Sequence, residues 1–219
     1  MSTPNKAAKK AAPKDLTKGG TIKATHPIKE KQCPPIIPPY QIPSAGKVFK
    51  EADFLDYSDT WIETGTCAGS GVERALAAGF KEVRSVEAWK DFYDQCVPKF
   101  RGRNVQLFLG KSPEQLLYML PDKRCVIFLD AHPAGPNTTG HNELMAGDTS
   151  VSQDAVITAE LQVILAHRKD HVIIIDDQNG NNPENAVYSK TLAGYSFSFY
   201  DELLAGKVTK DKILVCVPK

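Results

Sequence analysis

Short apolar runs that end in an acidic residue are the feature that most constrains how this chain can fold. RCVIFLD at 124–130 and HVIIIDD at 171–177 are almost entirely apolar before their final acids. Such continuous patterns are typical of strands in a parallel sheet, because helices cover both of its faces. TWIE at 60–63 and EVRSVE at 82–87 are shorter strand patterns with the same acidic end. The sequence therefore predicts a buried parallel sheet with acidic strand ends.

Helical patterns separate these strands. We expect helices at 69–78, 88–100, 113–120 and 152–167, and a further strand at 104–110. Strands that alternate with helices form a doubly wound, Rossmann-like sheet. The last two strand patterns, YSFSFYDE and KILVCVPK, are separated by about ten residues, too few for a helical crossover. The predicted fold class is α/β, with a mostly parallel sheet and an antiparallel C-terminal hairpin.

The N-terminal part of the chain differs in composition from the rest. Residues 1–31 contain eight Lys against one Asp and one Glu, and residues 33–43 contain five prolines. A Lys-rich segment with few apolar residues buries too little surface to fold, and prolines favour an extended backbone. We therefore predict a disordered, Lys-rich and then Pro-rich extension at 1–49, and one α/β domain at 50–219.

Charge and cysteine content narrow the class of partner. The 188 residues after the Lys-rich segment carry 19 basic and 24 acidic side chains, a mildly acidic balance that argues against nucleic acid as a partner. No apolar run approaches the roughly 18 residues of a membrane span. The first twenty residues lack the apolar region of a secretory signal. The five cysteines form no CxxC pair, so disulfide bonds and a zinc site are not expected. Both observations favour a cytoplasmic protein, and the sequence does not predict its oligomeric state.

A glycine-rich loop, ETGTCAGSG at 63–71, follows the first strand and opens the first helix, the context in which such a loop binds a cofactor. Arg74 stands where a dinucleotide-binding loop needs its last glycine. No G-K-[ST] triplet follows, so the loop is not a phosphate loop either. Glu87 lies 24 residues after Glu63, at the end of the second strand. The loop and the second acid together predict a cofactor site at this end of the sheet, and the glycine spacing argues against a dinucleotide.

The loop resembles the E/D-x-G-x-G-x-G signature of class I S-adenosylmethionine-dependent methyltransferases, with Cys67 in place of the middle glycine. The resemblance spans about residues 55–217. It implies that the glycines allow the backbone close to the methionine and ribose parts of S-adenosylmethionine, and that Glu87 accepts from both ribose hydroxyls. Lys111 replaces an Asp that many of these enzymes hold after the third strand. The implied cofactor contacts are Glu63, Gly65, Thr66, Gly69, Gly71, Glu87, Ala88, Ser112 and Asp130.

A second cluster follows the fourth and fifth strands. Asp130-x-His132 and Asp176-Asp177 should meet, because the carboxyl ends of parallel strands lie at one sheet edge. The pair resembles the metal-assisted sugar and small-molecule O-methyltransferases of the macrocin type. That resemblance implies that Asp130, Asp176 and Asp177 bind Mg²⁺ or another divalent cation. It further implies that Asp130 and His132 are catalytic, with His132 as the base.

Together the two resemblances imply an S-adenosylmethionine-dependent O-methyltransferase that acts on a hydroxyl of a sugar, a glycan or another small molecule. A polar loop as long as 131–151 is usually a lid or disordered, and this one could close on an acceptor. Glu160 on the following helix could face the cavity, but a place at the helix surface is the simpler expectation. Two alternatives remain open. One is an enzyme that uses NAD or a nucleotide sugar, which the glycine spacing disfavours. The other is a non-catalytic binding module, which His132 and the acid pair disfavour.

Overall fold

The computed structural model describes residues 47–133, 135–136, 138–178 and 190–219. The predicted extension at 1–49 therefore lies outside the described residues, apart from its last three positions. Its disorder, and the domain boundary near residue 50, stay predictions. No helix in the described part of the chain is long and apolar enough to cross a membrane.

The described residues form one seven-stranded sheet. Its strands are β1 Thr60–Thr64, β2 Glu82–Glu87, β3 Val105–Leu109, β4 Val126–Leu129, β5 Val172–Ile175, β6 Tyr195–Leu204 and β7 Lys207–Pro218. Their order across the sheet is β3-β2-β1-β4-β5-β7-β6. The first five strands pair in parallel, whereas β7 runs antiparallel to both β5 and β6. This topology confirms the predicted fold class, a mostly parallel α/β sheet that ends in an antiparallel hairpin.

Helices cover both faces of the sheet. They are α1 Ser70–Ala78, α2 Lys90–Phe100, α3 Ser112–Met119, α4 His141–Met145 and α5 Gln153–His167, with short 3₁₀ turns at Glu51–Phe54 and Thr149–Val151. Ile127 of β4 packs in one buried cluster with α3 and α5, and its neighbour Phe128 packs in a second cluster with α1 and α2. Successive strand residues point to opposite faces. Continuous apolar strands are thus the direct consequence of a two-sided core.

Two details of the predicted layout are wrong. The hairpin link is the pair Ala205 and Gly206, since β6 and β7 stay paired out to Leu204 and Lys207. Both turn residues have positive φ, at 49° and 80°, and such turns match the twist of a two-stranded ribbon. The loop at 131–151 also contains α4 and a 3₁₀ turn. Neither a short polar helix nor an Ala-Gly turn produces a strong apolar pattern in the sequence.

Leu161 of α5, which is 0% exposed in the core between the helix and the sheet, provides a test of this packing. Truncation to Ala leaves a cavity, so we expect Leu161→Ala to lower the free energy of unfolding by about 2 to 5 kcal/mol. Leu117→Ala, on a side chain that is 67% exposed, should change it by less than about 0.5 kcal/mol. Urea unfolding followed by circular dichroism measures both. Equal effects would contradict the assignment of this core.

Candidate cofactor and active site

A cavity of about 540 Å³ opens at the carboxyl ends of the parallel strands. The chain runs outward in both directions from β1, so the gap between β1 and β4 is the switch point at which α/β sheets bind ligands. Eleven of the twelve predicted site residues line this cavity: Glu63, Gly65, Thr66, Gly71, Glu87, Ala88, Ser112, Asp130, His132, Asp176 and Asp177. The fold therefore brings together residues that lie far apart in sequence.

Two glycines allow the loop after β1 to close on its neighbours. Gly65 has a φ of +84°, and a Cβ there would lie 2.6 Å from the backbone oxygen of Asp130. A Cβ on Gly71 would overlap the carboxylate of Glu63. A residue without a side chain is thus needed at both positions, because any larger residue would push β1, α1 and β4 apart.

Gly69 does not line the cavity, in contrast to its predicted cofactor contact. Its φ is +81°, and a Cβ there would lie 2.6 Å from the ring of Phe100 in α2. Gly69 thus serves the turn into α1 and the packing of α2. Cys67, at the position of the signature's middle glycine, has a φ of +47°. This left-handed backbone explains why the signature has a glycine at this position, because a cysteine adopts such a conformation only at an energetic cost.

Glu87 is held by two backbone groups. The N–H of Cys67 donates to Oε2 and the N–H of Trp89 donates to Oε1, each at 2.7 Å. An ionised carboxylate has about four acceptor positions, so each oxygen keeps one for a ligand. Glu87 also lines the cavity. The side chain is therefore fixed in an orientation in which two neighbouring donor groups of a ligand could bind to it.

Glu63 lies buried at the end of β1. Ser85 Oγ lies 3.3 Å from its Oε1 and 2.6 Å from the hydroxyl of Thr66, which links the glycine loop to β2. Burial raises the pKa of Glu63 to about 7, although the indole N–H of Trp61 and the charge of Arg74 act in the opposite direction. A cationic ligand in the cavity would favour the ionised carboxylate.

His132 bridges two carboxylates at the ends of β4 and β5. Its Nε2 lies 2.9 Å from Asp177 Oδ2, and its Nδ1 lies 3.7 Å from Asp130 Oδ1. The contact with Asp177 raises the pKa of His132 and, in return, lowers the pKa of Asp177 to about 2. Asp177 has a φ of +56°, an unusual conformation for a residue other than glycine. This backbone places its carboxylate against the imidazole.

The possible metal ligands that the structure brings together differ from the predicted set. Ligand atoms of Asp130, His132 and Asp177 all lie within 4.8 Å of one another, and Asp176 is not in this group. Asp176 Oδ1 instead accepts the backbone N–H of Asp177 at 2.6 Å and lies 3.6 Å from Lys212 Nζ. Burial raises the pKa of Asp176. A metal role for Asp130, Asp176 and Asp177 stays a prediction.

Lys212 and Glu202 of the terminal hairpin are cavity residues that sequence reasoning missed. Lys212 Nζ lies 2.7 Å from Glu202 Oε2 and 3.2 Å from Asp177 Oδ1. These two residues end one apolar strand pattern and begin the next, YSFSFYDE and KILVCVPK. The signal that identified Glu63 and Asp130, a charge at the end of an apolar strand, could therefore also have identified this pair.

Glu160 is fully buried, so its predicted place at the helix surface is wrong. Its side chain is 0% exposed, and neither carboxyl oxygen has a hydrogen-bond partner among the described residues. Burial raises the pKa of Glu160 to about 7, an effect that the nearby hydroxyls of Ser112 and Thr64 partly offset. Val156, one helical turn earlier on the same face, lines the cavity. Glu160 thus lies in the core next to the cavity-lining face of α5.

Glu160 should make stability depend on pH. An exposed Glu titrates near 4.3, so raising the pH from 5 to 8 ionises Glu160 at a cost in the folded state only. We therefore expect the free energy of unfolding of the wild type to fall over this range. In Glu160→Gln, which cannot ionise at this position, the fall should be smaller than in the wild type by about 2 to 3 kcal/mol. Glu114→Gln, on an exposed side chain of α3, serves as the control. Urea unfolding at each pH is the measurement, and identical pH dependence in both variants would contradict the buried state.

Comparisons with known proteins concern the fold. No protein-family model and no curated protein matches this chain. Among solved structures, the O-methyltransferase TomG from Streptomyces achromogenes, in complex with S-adenosylmethionine, is 14% identical over 75% of each chain, with a TM-score of 0.45. The O-methyltransferase from Bacillus cereus, in complex with S-adenosylhomocysteine, is 16% identical over 75% of this chain and 76% of its own, with a TM-score of 0.46. Precorrin 8W decarboxylase from Methanobacterium thermoautotrophicum is 16% identical over 80% of this chain and 83% of its own, with a TM-score of 0.44.

Proposed function

We propose that this chain transfers a methyl group from S-adenosylmethionine to a hydroxyl of a sugar, a glycan or another small molecule. The geometry of Glu87 is the observation that carries the proposal. Two backbone N–H groups fix its carboxylate at the carboxyl end of β2, where it lines the cavity, and one acceptor position on each oxygen remains for a ligand. The two hydroxyls of a ribose are neighbouring donors that such a carboxylate can accept from together.

The charge of the cavity supports a cationic ligand. Its lining contains six carboxylates against the three basic side chains of Arg74, Lys111 and Lys212, with His132 in addition. S-adenosylmethionine carries a positive sulfonium, and an excess of acidic groups in a partly closed cavity attracts cations. The buried carboxyl of Glu63 is one of these six groups, and because burial raises its pKa to about 7 it contributes a charge only when it ionises.

His132 is the proposed base. Its Nε2 faces Asp177 at 2.9 Å, so a neutral imidazole that donates there keeps the lone pair of Nδ1 as its acceptor. When bound, S-adenosylmethionine supplies the methyl group, which leaves its sulfur as the acceptor oxygen bonds to it. Nδ1 of His132 takes the hydroxyl proton. Positioning of the two reactants by the cavity supplies most of the acceleration, because the displacement needs no covalent help from the protein.

We propose a mechanism that needs no magnesium ion at the predicted ligands Asp130, Asp176 and Asp177. Mg²⁺ prefers oxygen ligands in octahedral geometry, whereas the group that the structure brings together contains an imidazole nitrogen between two carboxylates. A metal on that nitrogen would also remove the proposed base. The predicted oxygen set needs Asp176, which faces Lys212 and a backbone N–H. The mechanism above therefore uses only side chains of the protein.

Polar groups of the loop after β4 support a hydroxylated acceptor. Thr139 and Ser150 line the same cavity as His132, and hydroxyl groups can both donate hydrogen bonds to a polyol and accept them from it. We propose that this loop closes over the acceptor.

A cytoplasmic location is also proposed, because Cys67, Cys96, Cys125 and Cys216 are free thiols, as is usual in a reducing environment.

Calorimetry with S-adenosylmethionine and S-adenosylhomocysteine tests the cofactor. We expect both to bind, and we expect Glu87→Gln to weaken binding about tenfold or more, because hydrogen bonds to a charged group are worth about 1.5 to 3 kcal/mol. Glu114→Gln, on the exposed side of α3, should bind like the wild type. No binding of either compound would sink the proposal, and binding of NAD instead would favour the dinucleotide alternative.

Turnover tests the base. Production of S-adenosylhomocysteine is measured with a panel of monosaccharides, glycosides and phenols as acceptors. His132→Gln should lower kcat about a hundredfold or more, the usual contribution of a general base, and should leave the affinity for S-adenosylhomocysteine nearly unchanged. His141→Ala, in α4 outside the cavity lining, is the control. Unchanged turnover in His132→Gln would place the base elsewhere.

A further inference from the structure

A β-bulge in the terminal hairpin lies next to the acid cluster. Tyr200 pairs with Ile213, whereas Glu202 pairs with Thr209, so β7 contains two more residues than β6 over this stretch. Residues 210–212 therefore lie opposite a single residue of β6. Bulges are frequent beside functional sites because they redirect a side chain that a regular ladder would point elsewhere. The side chain at the end of this bulge is Lys212.

Asp201 holds the bulge in shape. Its carboxylate is buried, and it accepts the backbone N–H of Asp211 at 3.1 Å and lies 2.7 Å from Lys210 Nζ. Asp211 has a φ of +49°, a conformation that costs energy outside glycine and persists only where neighbouring contacts enforce it. The backbone oxygen of Lys212 accepts the N–H of Gln178 at 2.8 Å. Lys212 is thus fixed against the segment that follows β5.

The ammonium of Lys212 meets three carboxylates. Nζ lies 2.7 Å from Glu202 Oε2, 3.2 Å from Asp177 Oδ1 and 3.6 Å from Asp176 Oδ1. An ammonium has three N–H donors, so it can donate to Glu202 and Asp177 while its charge also faces Asp176. The side chain is only 19% exposed. Burial alone would lower the pKa of Lys212, but these carboxylates raise it, so the group is charged throughout the neutral range.

We propose that Lys212 is the resident cation of the Asp176–Asp177 pair. It holds the Asp177 carboxylate against His132, and it takes the space in which a divalent ion would bridge the two acids. Such an ion binds oxygen at about 2.0 to 2.6 Å, so it would lie within a few ångströms of Nζ, where two cations repel each other strongly. Lys212 is therefore a positioning residue. Its effect on the base rests on the proposed function, whereas its exclusion of a metal does not.

Titration of the cofactor-free protein with MnCl₂ in a calorimeter tests the exclusion of a metal. Lys212→Met removes the ammonium and keeps most of the stem, so we expect it to bind Mn²⁺ at least about tenfold more tightly than the wild type. Lys212→Arg keeps the charge and should bind as weakly as the wild type. Lys207→Met, on an exposed lysine at the start of the same strand, is the matched control. Tight Mn²⁺ binding by the wild type overturns the proposal, whether or not a variant folds. The proposal also fails if folded Lys212→Met binds Mn²⁺ no more tightly than the wild type.

Nitrogen-15 NMR of the imidazole tests the positioning role. In the wild type and Lys212→Arg the signals should show a proton on Nε2 that is hydrogen-bonded to Asp177. In Lys212→Met this signature should be lost while circular dichroism stays native, a change that a merely structural role would not cause. A retained signature in Lys212→Met overturns the positioning role. Both measurements omit S-adenosylmethionine, so a failure of the proposed cofactor would leave their outcomes interpretable.

Discussion

The repulsion among carboxylates that gather at one sheet edge is the constraint on which the rest of the site depends. Parallel strands place Glu63, Glu87 and Asp130 together because all of their carboxyl ends point to the same side. Each acid is accommodated differently. Two backbone N–H groups hold Glu87, burial shifts the pKa of Glu63 towards neutrality, and His132 lies between Asp130 and Asp177. These different environments give similar side chains different chemical uses.

Backbone strain in this protein is concentrated where the acids are held. Four non-glycine residues of the described chain have positive φ, and three of them, Cys67, Asp177 and Asp211, serve the site. Cys67 turns its N–H toward Glu87, Asp177 turns its carboxylate toward His132, and Asp211 lies in the bulge that positions Lys212. Residues in such conformations persist when surrounding contacts compensate their cost. The contacts that compensate here are largely the charged and polar interactions of the cavity itself.

The fold and most of the cavity could be predicted because strand ends are visible as acids after apolar runs, and topology then brings those ends together. Gly69 was predicted as a cofactor contact but lies outside the cavity lining, since a glycine that a turn requires and one that admits a ligand are identical in sequence. Glu160 was assigned wrongly, although it falls on the same helical stripe as the buried Ile157 and Ile164. The position of this acid on an apolar stripe indicates that it is buried, although its charge favours a place at the surface. The role of Lys212 needed the bulge, which no periodic pattern reveals.

The two sides of the sheet carry different kinds of chemistry. At the ends of β1 and β2 the acids interact with backbone N–H groups, an indole and hydroxyls, which suits a ligand that must be held and released. At the ends of β4, β5 and β7 the acids interact with charged groups, His132 and Lys212, which suits the movement of a proton. The hairpin contributes Lys212 to this second group of contacts, and the charge of its Glu202 also acts on Arg74, whose own charge acts on Glu63. We therefore expect changes in its bulge to act first on the contact between Asp177 and His132 at the proposed acceptor site, and to act on the proposed cofactor side only through the charge of Glu202.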